Sequence, residues 1–161
     1  MHYLIDGYNF FFRIQQDVLP LAKKRRDFIA ALDQLFVELN LSCTLVFDSG
    51  RRLSDSFPSK QMLTSIEVVF SPANTSADDY IIEWLTAQRH RKQLTVVTSD
   101  RELACRAKTI GAKTESLEEF FRFLRKKEQR SVCHAEEEKA AFDSEAEFNR
   151  LLKIFEQRLK E

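Results

Sequence analysis

Glycine is scarce in this chain of 161 residues, which holds three, alongside three prolines and three cysteines. That shortage excludes a dinucleotide fold, which needs a Gly-rich turn after its first strand, and a Walker A loop, which needs glycines around its lysine. No Gly-x-Ser-x-Gly stretch occurs, which disfavours a serine hydrolase of the nucleophile-elbow type. Cys43, Cys105 and Cys133 are odd in number and far apart. They fit neither a disulfide framework nor a zinc knuckle and read as buried thiols. No apolar run approaches the roughly 20 residues that cross a bilayer, and no leader segment is visible. The expectation is a cytoplasmic protein with no membrane partner. An excess of one charge is also missing, since 25 basic and 25 acidic residues balance. The balance is uneven along the chain: residues 131–161 carry 5 basic and 8 acidic side chains, and residues 1–130 carry 20 and 17. A mildly basic body permits a polyanionic partner without requiring one.

What the chain does have is buried strands. Tyr3–Asp6, Cys43–Asp48, Ile66–Ser71 and Leu94–Asp100 are short apolar runs with little alternation, as parallel strands covered on both faces require. Helical patterns lie between them. Phe28, Ile29, Leu32, Leu35, Phe36 and Leu39 recur at helical spacing, and Ile81, Ile82 and Leu85 form another stripe. Ser76 suits an N-cap, and Ser99–Glu102 and Ser116–Glu119 suit capping boxes, the first of these helices ending at Gly111. Alternating strands and helices predict an α/β class with a mainly parallel sheet. Residues 49–60 read as an exposed loop. Residues 129–138 read as a break before a final helix, roughly 136–160, with Phe142, Phe148, Leu151, Leu152 and Phe155 along its seam.

Three of the strand runs finish in an aspartate: Asp6, Asp48 and Asp100. Ligands of an open parallel sheet bind outside the carboxyl ends of its strands. The helix beginning Ser76-Ala77-Asp78-Asp79 follows the fourth strand, so its acids share that edge. Asp78 precedes Ile81 and Ile82 by three and four residues and belongs to the inward stripe; Asp79 leans outward. Crowded carboxylates raise one another's pKa or demand a cation. Mg²⁺ or Mn²⁺ is the simplest, a hard ion that takes oxygen ligands and activates water toward a phosphodiester. Each acid also has a plainer use. Aspartates form turns and cap helices, Asp78 and Asp79 suit a helix macrodipole, and Asp100 could cap beside Ser99.

In order along the chain, LIDGYNF, LVFDSG, SADDYIIEW and TVVTSD resemble the YacP-like branch of the NYN domains, within the PIN-like nuclease superfamily. The resemblance spans roughly residues 1–125. It implies a three-layer α/β/α sandwich over residues 1–130; residues 131–161, beyond the motifs, read from their own pattern as a charged, helical extension. It also implies an acidic pocket binding Mg²⁺ or Mn²⁺ and a metal-dependent endoribonuclease, with mRNA as substrate and the ribosome as a further partner. Carried across by motif, Asp6, Asp78 and Asp100 would hold the metal and Asn9 would orient Asp6, a water or a phosphate. Asp48 and Asp79 would be helpers. The branch commonly has Ser where this chain has Asp79.

Among the basic clusters, Lys23–Arg26, Arg89–Lys92 and Arg122–Lys127 read as solvated faces. Arg51 and Arg52 leave the sheet just after Asp48, and Arg101 adjoins Asp100, so these three are the RNA-phosphate candidates. His2, His90 and His134 form no ligand pair and are read as non-catalytic. Phe10, Phe11 and Phe12 are read as core. Two rival functions stand beside the nuclease: a non-catalytic RNA or ribosome adaptor, and a phosphatase.

Overall fold

The computed structural model describes residues 2–14, 21–49 and 60–132. Within them six strands form one sheet: β1 (His2–Asp6), β2 (Cys43–Phe47), β3 (Lys60–Met62), β4 (Ile66–Phe70), β5 (Leu94–Val97) and β6 (Lys113–Glu115). Their spatial order is β3-β4-β2-β1-β5-β6. Every neighbouring pair is parallel except β3–β4. The four apolar runs are the four inner strands, and β2 is buried at all five positions, as a sheet covered on both faces demands. The outer strands are three residues each, Lys-Gln-Met and Lys-Thr-Glu, and carry no apolar run to announce them. Short, lysine-bearing edges resist pairing with other chains. Lys60, expected in the loop, is the first residue of β3; the rest of that loop, beyond Ser49, lies outside the described residues.

Five helices cover the sheet among the described residues: α1 (Gly7–Ile14), α2 (Leu21–Glu38), α3 (Ala77–Ala87), α4 (Arg101–Ile110) and α5 (Leu117–Val132). The period-2 alternation of β1 divides the core. Tyr3 and Ile5 join the cluster formed with α1, α2 and α5, and Leu4 joins the cluster formed with α3 and α4. The result is a three-layer α/β/α sandwich. All six apolar residues expected on the α2 stripe are buried, and Phe28, Leu32 and Phe36 have no exposed surface. Fully burying side chains of this size contributes roughly 1.5–3 kcal/mol each.

Helix α1 departs from the sequence reading. Asp6-Gly7-Tyr8-Asn9 makes no turn; the helix begins at Gly7, directly off the strand. Gly7 serves a close approach instead, since a Cβ there would lie 2.7–2.8 Å from ring carbons of Phe47. Phe10 and Phe11 are core, whereas Phe12 is 43% exposed and stacks on Tyr8 with ring centroids 5.5 Å apart.

Helix ends follow the sequence with two corrections. Ser76 caps α3, accepting the Asp79 N–H at 3.1 Å. Ser116 and Glu119 form the reciprocal box at α5, with Ser116 N–H to Glu119 Oε2 at 2.9 Å and Glu119 N–H to Ser116 Oγ at 3.2 Å. At α4, however, Asp100 rather than Ser99 is the N-cap. Gly111 ends α4 in the left-handed region, φ 93°. Helix α5 continues through Gln129, Arg130, Ser131 and Val132, part of the stretch expected to break; the proposed final helix and its seam lie outside the described residues. Cys43 is buried as expected, but Cys105 is exposed, and Cys133 lies outside the described residues. No described helix is long and apolar enough to cross a membrane.

Candidate functional site

The strand order sets the site. From β1 the chain moves outward to β2 and β4, then α3 carries it back across to β5 on the other side of β1. The direction of winding therefore reverses between β1 and β5, the place where open parallel sheets leave a crevice at their carboxyl ends. Asp6 is the last residue of β1, Asp100 follows β5 by three residues, and Asp78 lies in the first turn of the returning helix α3.

Local structure fixes each acid. Asp6 caps α1: its Oδ1 accepts the Asn9 backbone N–H at 3.2 Å, and its Oδ2 accepts the Asn9 side-chain amide at 2.7 Å. Of the three roles open to Asn9, the structure displays the orienting of Asp6 itself. Asp100 Oδ1 accepts the N–H groups of Glu102 at 2.7 Å and Leu103 at 3.3 Å, and its own N–H donates to Thr98 Oγ1 at 3.0 Å. Three helix N-termini, those of α1, α3 and α4, thus carry an acid at the same edge, each beside the positive end of a macrodipole.

The acids act on one another. Burial pushes the Asp6 carboxyl up; the hydrogen bonds from Asn9 and Tyr8 oppose this, Asp100 adds to it, and burial wins. The Asp78 carboxyl is pushed up to about 6, by burial first, then by Asp6, then by Asp100. Asp79 is exposed and adds to the rise of Asp78, and its Oδ1 accepts a hydrogen bond from Arg106 Nη2 of α4 at 2.8 Å.

Asp48 follows β2 on the same edge and is half-buried. The neighbouring Ser49 is tied down, its N–H donating to Ser71 Oγ at 3.1 Å. Arg101 is exposed at the start of α4. Arg51 and Arg52 lie outside the described residues.

Among the described residues no group of three or more His, Cys, Asp or Glu side chains closes around a point an ion could occupy. Asp6 is engaged by Asn9 and Asp100 by the N–H groups of α4. The donor set still fits a hard divalent ion, because it is all oxygen and its charges are near enough to raise the Asp78 carboxyl.

Three arginines escape sequence reasoning. Arg25, placed by sequence on a solvated face, is 1% exposed. Its Nη1 donates to Tyr8 Oη at 3.0 Å, and its guanidinium lies 5.1 Å from the Phe70 ring centroid and 5.9 Å from that of Phe47. It thereby braces α1, and so Asp6, against α2. Arg91, also placed on a solvated face, donates to the carbonyls of Leu85, Gln88 and Thr86 and closes the carboxyl end of α3. The pairing of Arg106 with Asp79 spans 27 residues of sequence and has no local signal.

Comparison with known proteins agrees with the fold. The family model described as YacP-like NYN domain matches residues 3–161. Two crystal structures of Rae1 (YacP) from Bacillus subtilis share the fold. One is 24% identical, with a TM-score of 0.63, covering 98% of this chain and 83% of that one. The other, a W164L mutant, is 23% identical, with a TM-score of 0.60, covering 80% of this chain and 77% of that one. No match emerges among curated proteins.

Proposed function

Because the chain belongs to the YacP-like NYN domain family, a PIN-like nuclease family, we propose that it is a divalent-metal-dependent endoribonuclease whose site is the acidic edge between β1 and β5. One observation carries the reading: Asp6, Asp78 and Asp100 come from three elements to the edge where the sheet's winding reverses, and Asp78 is pushed up to about 6 by burial first and then by the other two acids. A structural cap has no need of such company.

Asp6, Asp78 and Asp100 would hold Mg²⁺ or Mn²⁺. The bound ion supplies Lewis acidity to a phosphodiester and acidity to a coordinated water. Asn9 fixes the Asp6 carboxylate through two hydrogen bonds, so that acid meets the ion already oriented. The α4 N-terminus does the same for Asp100. Asp78, its carboxyl pushed up to about 6, is able to hold a proton closer to neutral pH than an ordinary carboxylate before an ion arrives. Residues 1–130 form the nuclease unit in this reading and residues 131–161 an appendage. The substrate is RNA, mRNA on the ribosome being the case the family resemblance favours, and the setting is cytoplasmic.

The test is cleavage of RNA, naked and on translating ribosomes, with Mn²⁺ or with chelator. We expect divalent-dependent cleavage that falls by about a hundredfold or more in Asp6→Asn and Asp100→Asn. Full activity in either variant contradicts the assignment. The adaptor reading draws on the balanced net charge and the acidic residues 131–161. It predicts RNA or ribosome binding with no divalent-dependent cleavage of either substrate.

A further inference from the structure

Three carboxylates leave the edge net negative even with one divalent ion bound. An RNA phosphate approaching it needs a further cation, and among the described residues Arg106 is held at 2.8 Å by Asp79, the residue next to Asp78. Arg106 lies on α4, which packs against α3, and one of its five N–H donors is engaged by Asp79 at 2.8 Å. Among the described residues that is its one hydrogen bond, and its side chain is 39% exposed. A planar fork with donors to spare, fixed at one corner beside an anionic site, matches the geometry of a phosphate's non-bridging oxygens. The fixing falls to Asp79, which stands where the family commonly has Ser; serine has no charge to hold a guanidinium.

We propose that Arg106 binds a phosphate oxygen of the RNA at the acidic edge and that Asp79 is its positioning residue rather than a metal helper. This deepens the nuclease reading and rests on it. The arginine leaves its proton in place throughout and forms no covalent bond; its role is to offset phosphate charge.

The experiment is equilibrium binding of a single-stranded RNA oligonucleotide, by fluorescence anisotropy across a salt series, with Ca²⁺ in place of Mg²⁺. The full chain is compared with Arg106→Ala, Arg106→Lys, Asp79→Asn and the Asp79→Asn/Arg106→Ala double variant. Arg106→Ala weakens binding about tenfold and lowers the salt-dependence slope by about 0.7, the signature of one lost phosphate contact on a single strand. Arg106→Lys keeps the slope and recovers part of the affinity. Asp79→Asn weakens binding less, and the double variant binds no worse than Arg106→Ala. An exposed ion pair contributes little to folding, so all four variants keep the wild-type melting temperature. RNA binding by the wild type with affinity and slope unchanged in Arg106→Ala overturns the assignment of Arg106 and leaves the nuclease reading standing. A wild type that binds no RNA overturns that reading and this inference together.

Discussion

Asp78 sits in the first turn of α3, its carboxyl pushed up to about 6 by burial, then by Asp6 and Asp100. The folded chain therefore holds this proton more tightly than the unfolded chain does. The stability gained is full below the ordinary carboxylate range and is lost as pH rises through about 6. Because the group is partly exposed, solvent screening reduces the effect to on the order of 1 kcal/mol. Metal-free protein should melt at lower temperature at pH 7 than at pH 4.5, as far as this group governs, and Asp78→Asn should flatten that fall. Thermal melts across pH with and without the substitution check it; identical pH profiles would contradict the crowding of charge at the edge. Gly7 is constrained by contact rather than by conformation. Gly7→Ala puts a methyl 2.7–2.8 Å from the Phe47 ring, which should cost about 1–3 kcal/mol in urea unfolding. Combined with Phe47→Leu it should cost less than the sum of the two single costs, because the clash disappears with the ring.

At the scale of elements, the caps serve stability and chemistry with the same atoms. Asp100 both starts α4 and belongs to the acidic group. Asparagine keeps the capping oxygen and loses the charge; alanine loses both. Asp100→Ala should therefore be less stable than Asp100→Asn by about 1 kcal/mol, with both equally inactive on RNA. Chemical denaturation separates them. Asp33 performs a similar service within the scaffold. From α2 its carboxylate accepts the N–H groups of Thr64 at 3.3 Å, Ser65 at 2.7 Å and Ile66 at 3.0 Å, pinning the β3–β4 turn. Asp33→Ala strands these donors and should cost about 2–4 kcal/mol by the same measurement. The inner strands were legible as short apolar runs, α2 and α3 by their apolar stripes, and α4 and α5 by their capping residues. Helix α1 was not, since Asp-Gly-Tyr-Asn is turn chemistry and the helix has eight residues. Nor were β3 and β6, polar three-residue strands defined by their neighbours rather than by their own side chains.

For the whole molecule, the same division applies to the site. Asp6 and Asp100 could be read from sequence because strand ends map onto one edge by a topological rule, and Asp78 because helical spacing gives its direction. Arg25 and Arg106 could not. Arg25 is buried by the meeting of α1, α2, β2 and β4, and Arg106 meets Asp79 because α3 and α4 pack together. Long-range packing of this kind leaves no local pattern. The account's central claim is that three acids, each secured by its own helix, form one metal site. The most direct test is Mn²⁺ binding by titration calorimetry to the wild type and to Asp6→Asn, Asp78→Asn and Asp100→Asn, a measurement that needs no knowledge of the substrate. The account predicts binding by the wild type and its loss, or weakening by about a hundredfold, in each of the three variants, with folding retained. Binding that survives all three substitutions would contradict it.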